Sequence, residues 1–366
     1  MDSACGHARR GVRGKPLIPR GKAEMKSLLR GRLVFLVKQG WDRYSHKMRT
    51  LIIGGTGFLG PQISKALTKS GTKVFAASRS GAVTPATNME IVQLDRNQPE
   101  AILAAVRTHQ IDTVIDVIAY DVETTEPLLN CLDGKIDRYI LLSSGDVYRN
   151  YGLFQKKETG VPQLTPLTEE APLRGSLYPY RGDVPRSPDD PLRWMDSYDK
   201  IPIERTVRQL ETSWSILRLP MVYGPGDKQH RFRWAVAPMA KKKDRLTMAT
   251  AWADWTTTYG YVENVAAAIA IAAGHPRAVN QVFNIGEEKP VLHTEWATRI
   301  AQVMNWSGNF VFKDDPPKGP LADLDLSIPF AVCTQKFREA TGFTEPFSLH
   351  HCLAETVAGE SSLLRD

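Results

Sequence analysis

The sequence predicts an α/β fold, a doubly wound parallel sheet followed by a smaller, mixed C-terminal lobe. Three observations predict it. A glycine-rich turn, Gly54–Gly60, stands between a strand-like run and a helix-spaced apolar face. Five more short apolar runs then alternate with helical segments, the pattern of a parallel sheet covered on both faces. After Tyr223 the alternation loosens.

Taken in order, residues 1–47 lack an apolar period and hold twelve Lys/Arg against three Asp/Glu. That stretch carries +9 of the formal +7, so the other 319 residues carry −2. The basicity belongs to the leader, which gives the body no electrostatic footprint for nucleic acid. A disordered arm, a targeting peptide and a start placed upstream of Met48 are the three readings of this leader. Scarce serine favours the first and last.

From Met48 the strands read Arg49–Ile53, Thr72–Ala77, Glu90–Leu94, Thr113–Ile118, Arg138–Leu142 and Ser215–Leu219. Ile63, Ala66 and Leu67 give the first helix its apolar face, and later helices fall near Ile203–Leu210 and Val262–Ala273. Residues 149–200 break the rhythm, dense in Pro, Arg, Tyr and Asp, as a functional or mobile insertion does. The expected divisions are a leader (1–47), a Rossmann-type domain (48–222) carrying that insertion, and a second lobe (223–366) with segments returning to the first.

The longest apolar run near the start, Leu33–Val37, is too short for a signal-peptide core, and no stretch approaches a membrane span of about 20 apolar residues. Cys5, Cys131, Cys333 and Cys352 show no pairing or ligand spacing, so a reduced, cytoplasmic protein without a metal is expected. His350 and His351 adjoin Cys352, but neighbours on a helix point about 100° apart.

The glycine turn carries the sharpest chemistry. Gly54, Gly57 and Gly60 are spaced G-x-x-G-x-x-G, with Thr56, Phe58 and Leu59 between them. Such a loop turns tightly, admits a pyrophosphate to the backbone and packs the next helix closely, while the helix N-terminus supplies amides. The second strand is followed by Ser78-Arg79 and no carboxylate for a ribose, so a 2′-phosphate on Arg79 fits, and NADP is expected over NAD. Asp95 either meets the adenine or caps the next helix.

Four segments then resemble a known family, the extended short-chain dehydrogenases/reductases, or NAD(P)-dependent epimerase/dehydratases. They are Gly54–Gly60, Leu141-Leu142-Ser143-Ser144-Gly145-Asp146-Val147-Tyr148, Leu217–Asp227, and Tyr259–Val265 with Val282–Gly286. The resemblance implies that Ser144 holds a substrate oxygen, that a tyrosine acts as general acid/base, and that a lysine four residues later lowers its pKa and binds the nicotinamide ribose. Here the motif is altered. Lys200 matches the lysine, but Asp196 stands four residues before it, and Tyr198 only two. Tyr198 in a segment leading into a helix that starts near Lys200, Tyr148 or another residue of the insertion, and the loss of this group altogether remain open.

Asp146 sits where dehydratases of the family carry an extra acid, and a capping role competes with that. Arg218 reads as a structural pair, and Asp227 as a loop acceptor. Arg231 and Arg233, beside Lys228 and His230, suit an anionic or sugar-like substrate, and Trp234, Trp252 and Trp255 read as packing. The resemblance thus implies an epimerase, dehydratase or carbonyl reductase, of a family whose members often pair as dimers, with a non-catalytic NADP-binding protein of regulatory or RNA-associated role as the alternative.

Overall fold

In the computed structural model, the described residues are 48–81, 89–315 and 321–364. The basic leader lies outside them. The chain first lays down β1 (Arg49–Ile53), β2 (Lys73–Ser78), β3 (Met89–Gln93), β4 (Thr113–Asp116), β5 (Arg138–Ser144) and β6 (Ser213–Leu219). Short strands β7 (Met221–Tyr223), β8 (Arg245–Ala249), β9 (Thr256–Thr257) and β10 (Tyr259–Tyr261) follow. The last are β11 (Gln281–Asn284), β12 (Val291–Leu292) and β13 (Asn309–Lys313).

Seven of these form one parallel sheet in the order β11-β6-β5-β4-β1-β2-β3. The seventh strand, β11, returns from beyond residue 223 to pair with β6. The remaining strands make three small pairs, β7 with β10, β8 with β13 and β9 with β12. Burial on both faces explains why the sheet strands read as unbroken apolar runs. Ile52 enters one core with Ile63 and Leu67 of helix α1 (Gly60–Lys69) and with the helix Val262–Gly274. Leu51 and Ile53 enter the other, with helices α2 (Pro99–His109), α3 (Val122–Leu132) and the later helix Lys200–Val207.

β2 (Lys73–Ser78) and β3 (Met89–Gln93) are each shifted by one residue from the sequence expectation, β6 begins two residues earlier at Ser213, and two further strands end elsewhere than expected. β4 stops at Asp116 because the Asp116 carboxylate accepts the N–H of Ile118 (3.1 Å), which turns the chain out of the sheet. β5 runs on to Ser144, carried by full pairing with β6.

The strand order reverses between β1 and β4, and there the loops at their carboxyl ends diverge to opposite faces, leaving a crevice. A Cβ on Gly54 would lie 2.8 Å from the Ile118 side chain, so the two loops touch at its floor. The insertion is packed, not loose. It contains α4 (Arg149–Phe154) and a 3-10 turn at Arg193–Asp196. Leu153, Phe154 and Leu167 share a third core with Trp255, Ile328 and Phe330.

Candidate active site

The glycine loop follows β1 at this crevice. Gly54 has φ +83°, where a side chain is strained, and its carbonyl accepts the Gly57 N–H at 3.1 Å. A Cβ on Gly60 would lie 2.2 Å from the Gly55 carbonyl oxygen, so only glycine lets α1 start this close to the turn. Helix α1 has Pro61 in its first turn and no side-chain cap. Thr56 and Gly57 are exposed, while Phe58 and Leu59 pack against the core. The loop thus turns backbone outward at an uncapped helix N-terminus, a cradle that fits a diphosphate.

Along the rim, Ser78 closes β2 as a buried residue with its hydroxyl 3.3 Å from that of Ser80, and Arg79 is exposed. Asp95 accepts the Asn97 N–H at 2.9 Å, which fixes the turn before α2, while the cap position of that helix is Gln98. Beneath this rim, buried Arg96 pairs with Asp116 at 2.8 Å and with the hydroxyls of Thr124 and Thr125. Tyr139 adds its hydroxyl to Asp116 (2.8 Å). This network ties the turn after β3 to the end of β4. Sequence reasoning named Asp95 and passed over Arg96 beside it.

On the other side of the crevice, Ser144 ends β5, and its hydroxyl accepts the Asp146 N–H at 3.2 Å. Asp199 caps α5 (Lys200–Val207) by accepting the Ile201 N–H, which places Lys200 as the first helical residue with Pro202 in the first turn. Tyr198 therefore lies in the approach to the helix and is freed from helical spacing. It is buried, and its hydroxyl donates to Asp146 Oδ2 at 3.0 Å and lies beside that of Ser144. Lys200 is buried, its ammonium donates to the Ala119 carbonyl after β4, and it stands 5.5 Å from the Tyr198 ring. Ser144, Asp146, Tyr198 and Lys200 are thus brought together.

Burial dominates their electrostatics. It pushes Tyr198 well above the ordinary phenol range and Lys200 down to about 8, and it raises Asp146 despite the nearby Arg174 guanidinium. Asp196, at the motif's tyrosine position, is bound instead by the Arg186 side chain and its N–H, which hold it below the usual carboxylate range. Tyr148 is also engaged elsewhere. Its hydroxyl donates to Asn284 (2.7 Å) and accepts from Arg218, which pairs with Glu204 at 2.7 Å. Arg218 is the structural pair expected of it.

On the substrate side, Asp227 accepts the N–H groups of Gln229 and Arg231 and holds its loop, as read from the sequence. The Arg231 guanidinium bonds to Asp227 (2.7 Å) and to the Val222 carbonyl. Arg233 pairs with Glu360 at 3.0 Å, and His230 shares that carboxylate. Both arginines are therefore partly neutralised within the chain. Trp252 and Trp255 stack with His293, and Trp255 with Phe154, so these rings are packing groups.

A model of the NAD dependent epimerase/dehydratase family matches residues 50–167 and 175–286. The chain belongs to that family. Among similar proteins, a chloroplast stem-loop binding protein of 41 kDa from Arabidopsis thaliana is 22% identical over 68% of this chain. That alignment spans 61% of the relative's own length. A UDP-glucose 4-epimerase from Thermotoga maritima, solved with UDP-glucose, superposes with TM-score 0.62 at 18% identity, covering 87% of this chain and all of that one. A UDP-glucose 4-epimerase from Thermus thermophilus, solved with NAD, gives 0.60 at 19%, covering 86% and 99%.

Within this family member, three residues around the site escaped the sequence reading. Tyr180 donates to Asp146 Oδ2 (3.0 Å), Tyr151 lies 2.9 Å from the Tyr180 hydroxyl, and buried Arg174 pairs with Asp199 (3.1 Å). All three come from an insertion without periodicity, so no spacing signal was available to place them. Their density of tyrosine and arginine was the one hint.

Proposed function

We propose that the chain is a nicotinamide-dinucleotide-dependent oxidoreductase acting at a carbinol or carbonyl carbon of a sugar-like substrate, as an epimerase, dehydratase or reductase. One observation carries this reading: Tyr198 reaches Ser144 and Lys200 from outside the helix, so the altered motif still brings a serine, a tyrosine and a lysine together at the carboxyl end of β5.

In this reading the amides of Gly54–Gly60 hold the diphosphate, with Thr56, Phe58 and Leu59 shaping the loop. Ser78 and Arg79 hold the adenosine ribose, Arg79 meeting a 2′-phosphate in NADP, and Asp95 faces the adenine. When bound, the dinucleotide supplies a two-electron acceptor or donor. Lys200 orients its nicotinamide ribose. Ser144 donates to the substrate oxygen, Tyr198 moves the proton on it, and Asp146, Arg231 and Arg233 contact the rest of an anionic or sugar-like substrate. The NAD and UDP-glucose held by the structural neighbours support both ligand classes.

The test is turnover. Purified protein is mixed with NAD or NADP and a panel including UDP-glucose and UDP-glucuronic acid, and absorbance of the reduced nicotinamide is followed alongside product analysis. Turnover that Tyr198→Phe lowers about 100-fold supports the reading. A second reading, a dinucleotide-binding protein that engages RNA, is favoured by the name of the stem-loop binding relative. Dinucleotide binding without turnover, unchanged by Tyr198→Phe and accompanied by a gel shift of a stem-loop RNA, would replace the first reading with the second.

A further inference from the structure

Tyr198 is not arranged as a phenol tuned by a lysine alone. Its proton is donated to Asp146 Oδ2, which also accepts from Tyr180, each at 3.0 Å. From Tyr180 the chain of hydroxyls continues to Tyr151 at 2.9 Å, which accepts from Gln155 Nε2 at 3.3 Å. Tyr198 and Asp146 are buried, Tyr180 and Tyr151 are half-buried, and the chain runs from the site into the insertion, where it ends at Gln155, whose amide oxygen is itself buried. Asp146 Oδ1 is buried and has no hydrogen-bond partner among the described residues. The Lys200 ammonium is directed to the Ala119 carbonyl.

We infer that Asp146 is the terminal proton acceptor of the reaction, with Tyr198 as the bridge to it and Tyr180 as the second hydroxyl that holds its carboxylate. The inference rests on the functional reading above. In the oxidative direction the substrate O–H bond breaks and its proton passes to Tyr198 Oη as the Tyr198 proton passes to Asp146 Oδ2. The carbinol carbon is oxidised, and the electron pair and hydrogen of its C–H bond go to the bound dinucleotide. In the reductive direction the same protons return.

The physical reason is desolvation. A free tyrosinate in this site would be a new buried anion. Passing the proton through to Asp146 leaves Tyr198 neutral and extinguishes a buried charge that already exists. Burial pushes both groups upward and so works in the same direction. The groups facing Asp146 are Arg174, whose Nε donates to the Asp146 carbonyl, the hydroxyls of Ser144, Tyr180 and Tyr198, and, at longer range, Tyr151 and Lys200. Arg174 is itself paired with Asp199.

The test uses the full chain and the Asp146→Asn, Tyr180→Phe and Tyr198→Phe variants. Infrared titration follows the C=O stretch of a protonated carboxyl group, and dinucleotide affinity reports that each variant is folded. The expected result is a carboxyl titrating above the ordinary aspartate range that is absent in Asp146→Asn, while the other carboxyls that burial raises, Asp112, Glu169 and Glu287, remain. The Asp146 carboxyl moves to higher pH in Tyr180→Phe, because that hydroxyl stabilises the carboxylate. Turnover on whichever substrate the panel identifies falls about 100-fold or more in Asp146→Asn with dinucleotide affinity retained. Wild-type turnover and an unchanged pH profile in Asp146→Asn overturn the inference, as does the absence of any titrating carboxyl assigned by that variant. A wild-type protein that binds dinucleotide and turns over nothing sinks the functional reading separately, and the infrared titration still decides whether Asp146 takes the proton.

Discussion

The two sides of the crevice are built by different means. On one side, a seven-residue glycine loop offers backbone, and local geometry alone fixes it: a positive φ at Gly54 and a contact at Gly60 that tolerates no Cβ. On the other side, side chains gather from positions 144, 146, 151, 174, 180, 198 and 200, held by long-range hydrogen bonds and a buried ion pair. A backbone cradle depends on a few adjacent residues. A side-chain cluster depends on the whole insertion being in place.

A buried ion pair underlies each side, Arg96–Asp116 and Arg174–Asp199, and breaking these gives the sharpest contrast. Arg96→Ala strands Asp116 beneath the glycine loop, and Arg174→Ala strands Asp199 at the start of α5. Both are expected to cost about 3–5 kcal/mol in denaturant unfolding. Calorimetric titration with NADP should then separate them: the first variant loses dinucleotide affinity, whereas the second retains it and loses turnover. Equal loss of affinity in both would erase the distinction between the two sides.

Gly60→Ala comes next. Its methyl group meets the Gly55 carbonyl, so α1 must back away from the turn, at about 1–3 kcal/mol in stability and roughly tenfold or more in dinucleotide affinity. Thermal unfolding with and without NADP measures both.

The pH response sharpens the contrast further. Lys200 has its folded-state pKa depressed to about 8 from 10.5, so protonation favours the unfolded chain. Its charge is a full burden below about 8, and the burden is relieved as pH rises from there toward 10.5. Lys200→Met should therefore be stabilising relative to wild type near pH 7, with the difference shrinking across that window in urea unfolding. Arg96 has no such window: burial opposes its charge, but the Asp116 carboxylate outweighs that and keeps the guanidinium charged throughout.

The smallest effect is expected at Arg79, an exposed rim residue. Arg79→Ala should weaken NADP about tenfold and leave NAD unchanged, as measured by fluorescence titration. Equal affinity changes for both would remove Arg79 from any role in choosing between them.

How much was legible follows from the same contrast. Six of the seven sheet strands and the glycine loop were readable, because periodicity and turn chemistry are local. The position of Lys200 was readable from the stretch that follows it, and Pro202 signalled where its helix begins. Tyr198 remained one of several candidates, because helical spacing does not govern a residue outside the helix. Arg231 and Arg233 looked available in sequence, yet their partners Asp227 and Glu360 become visible only in three dimensions. Tyr180 and Tyr151 carried no spacing at all.

Asp199 has one more consequence. Its carboxylate caps α5 through Ile201, receives Arg174, and accepts the N–H of Tyr178 at 2.6 Å, two residues before Tyr180. The insertion and the first turn of the helix bearing Lys200 therefore share this carboxylate as a common fastening and should open as one cooperative unit. Native-state hydrogen exchange at the Tyr178 and Ile201 amides would then report one event with a common opening free energy, and any ligand that seats the insertion would protect both.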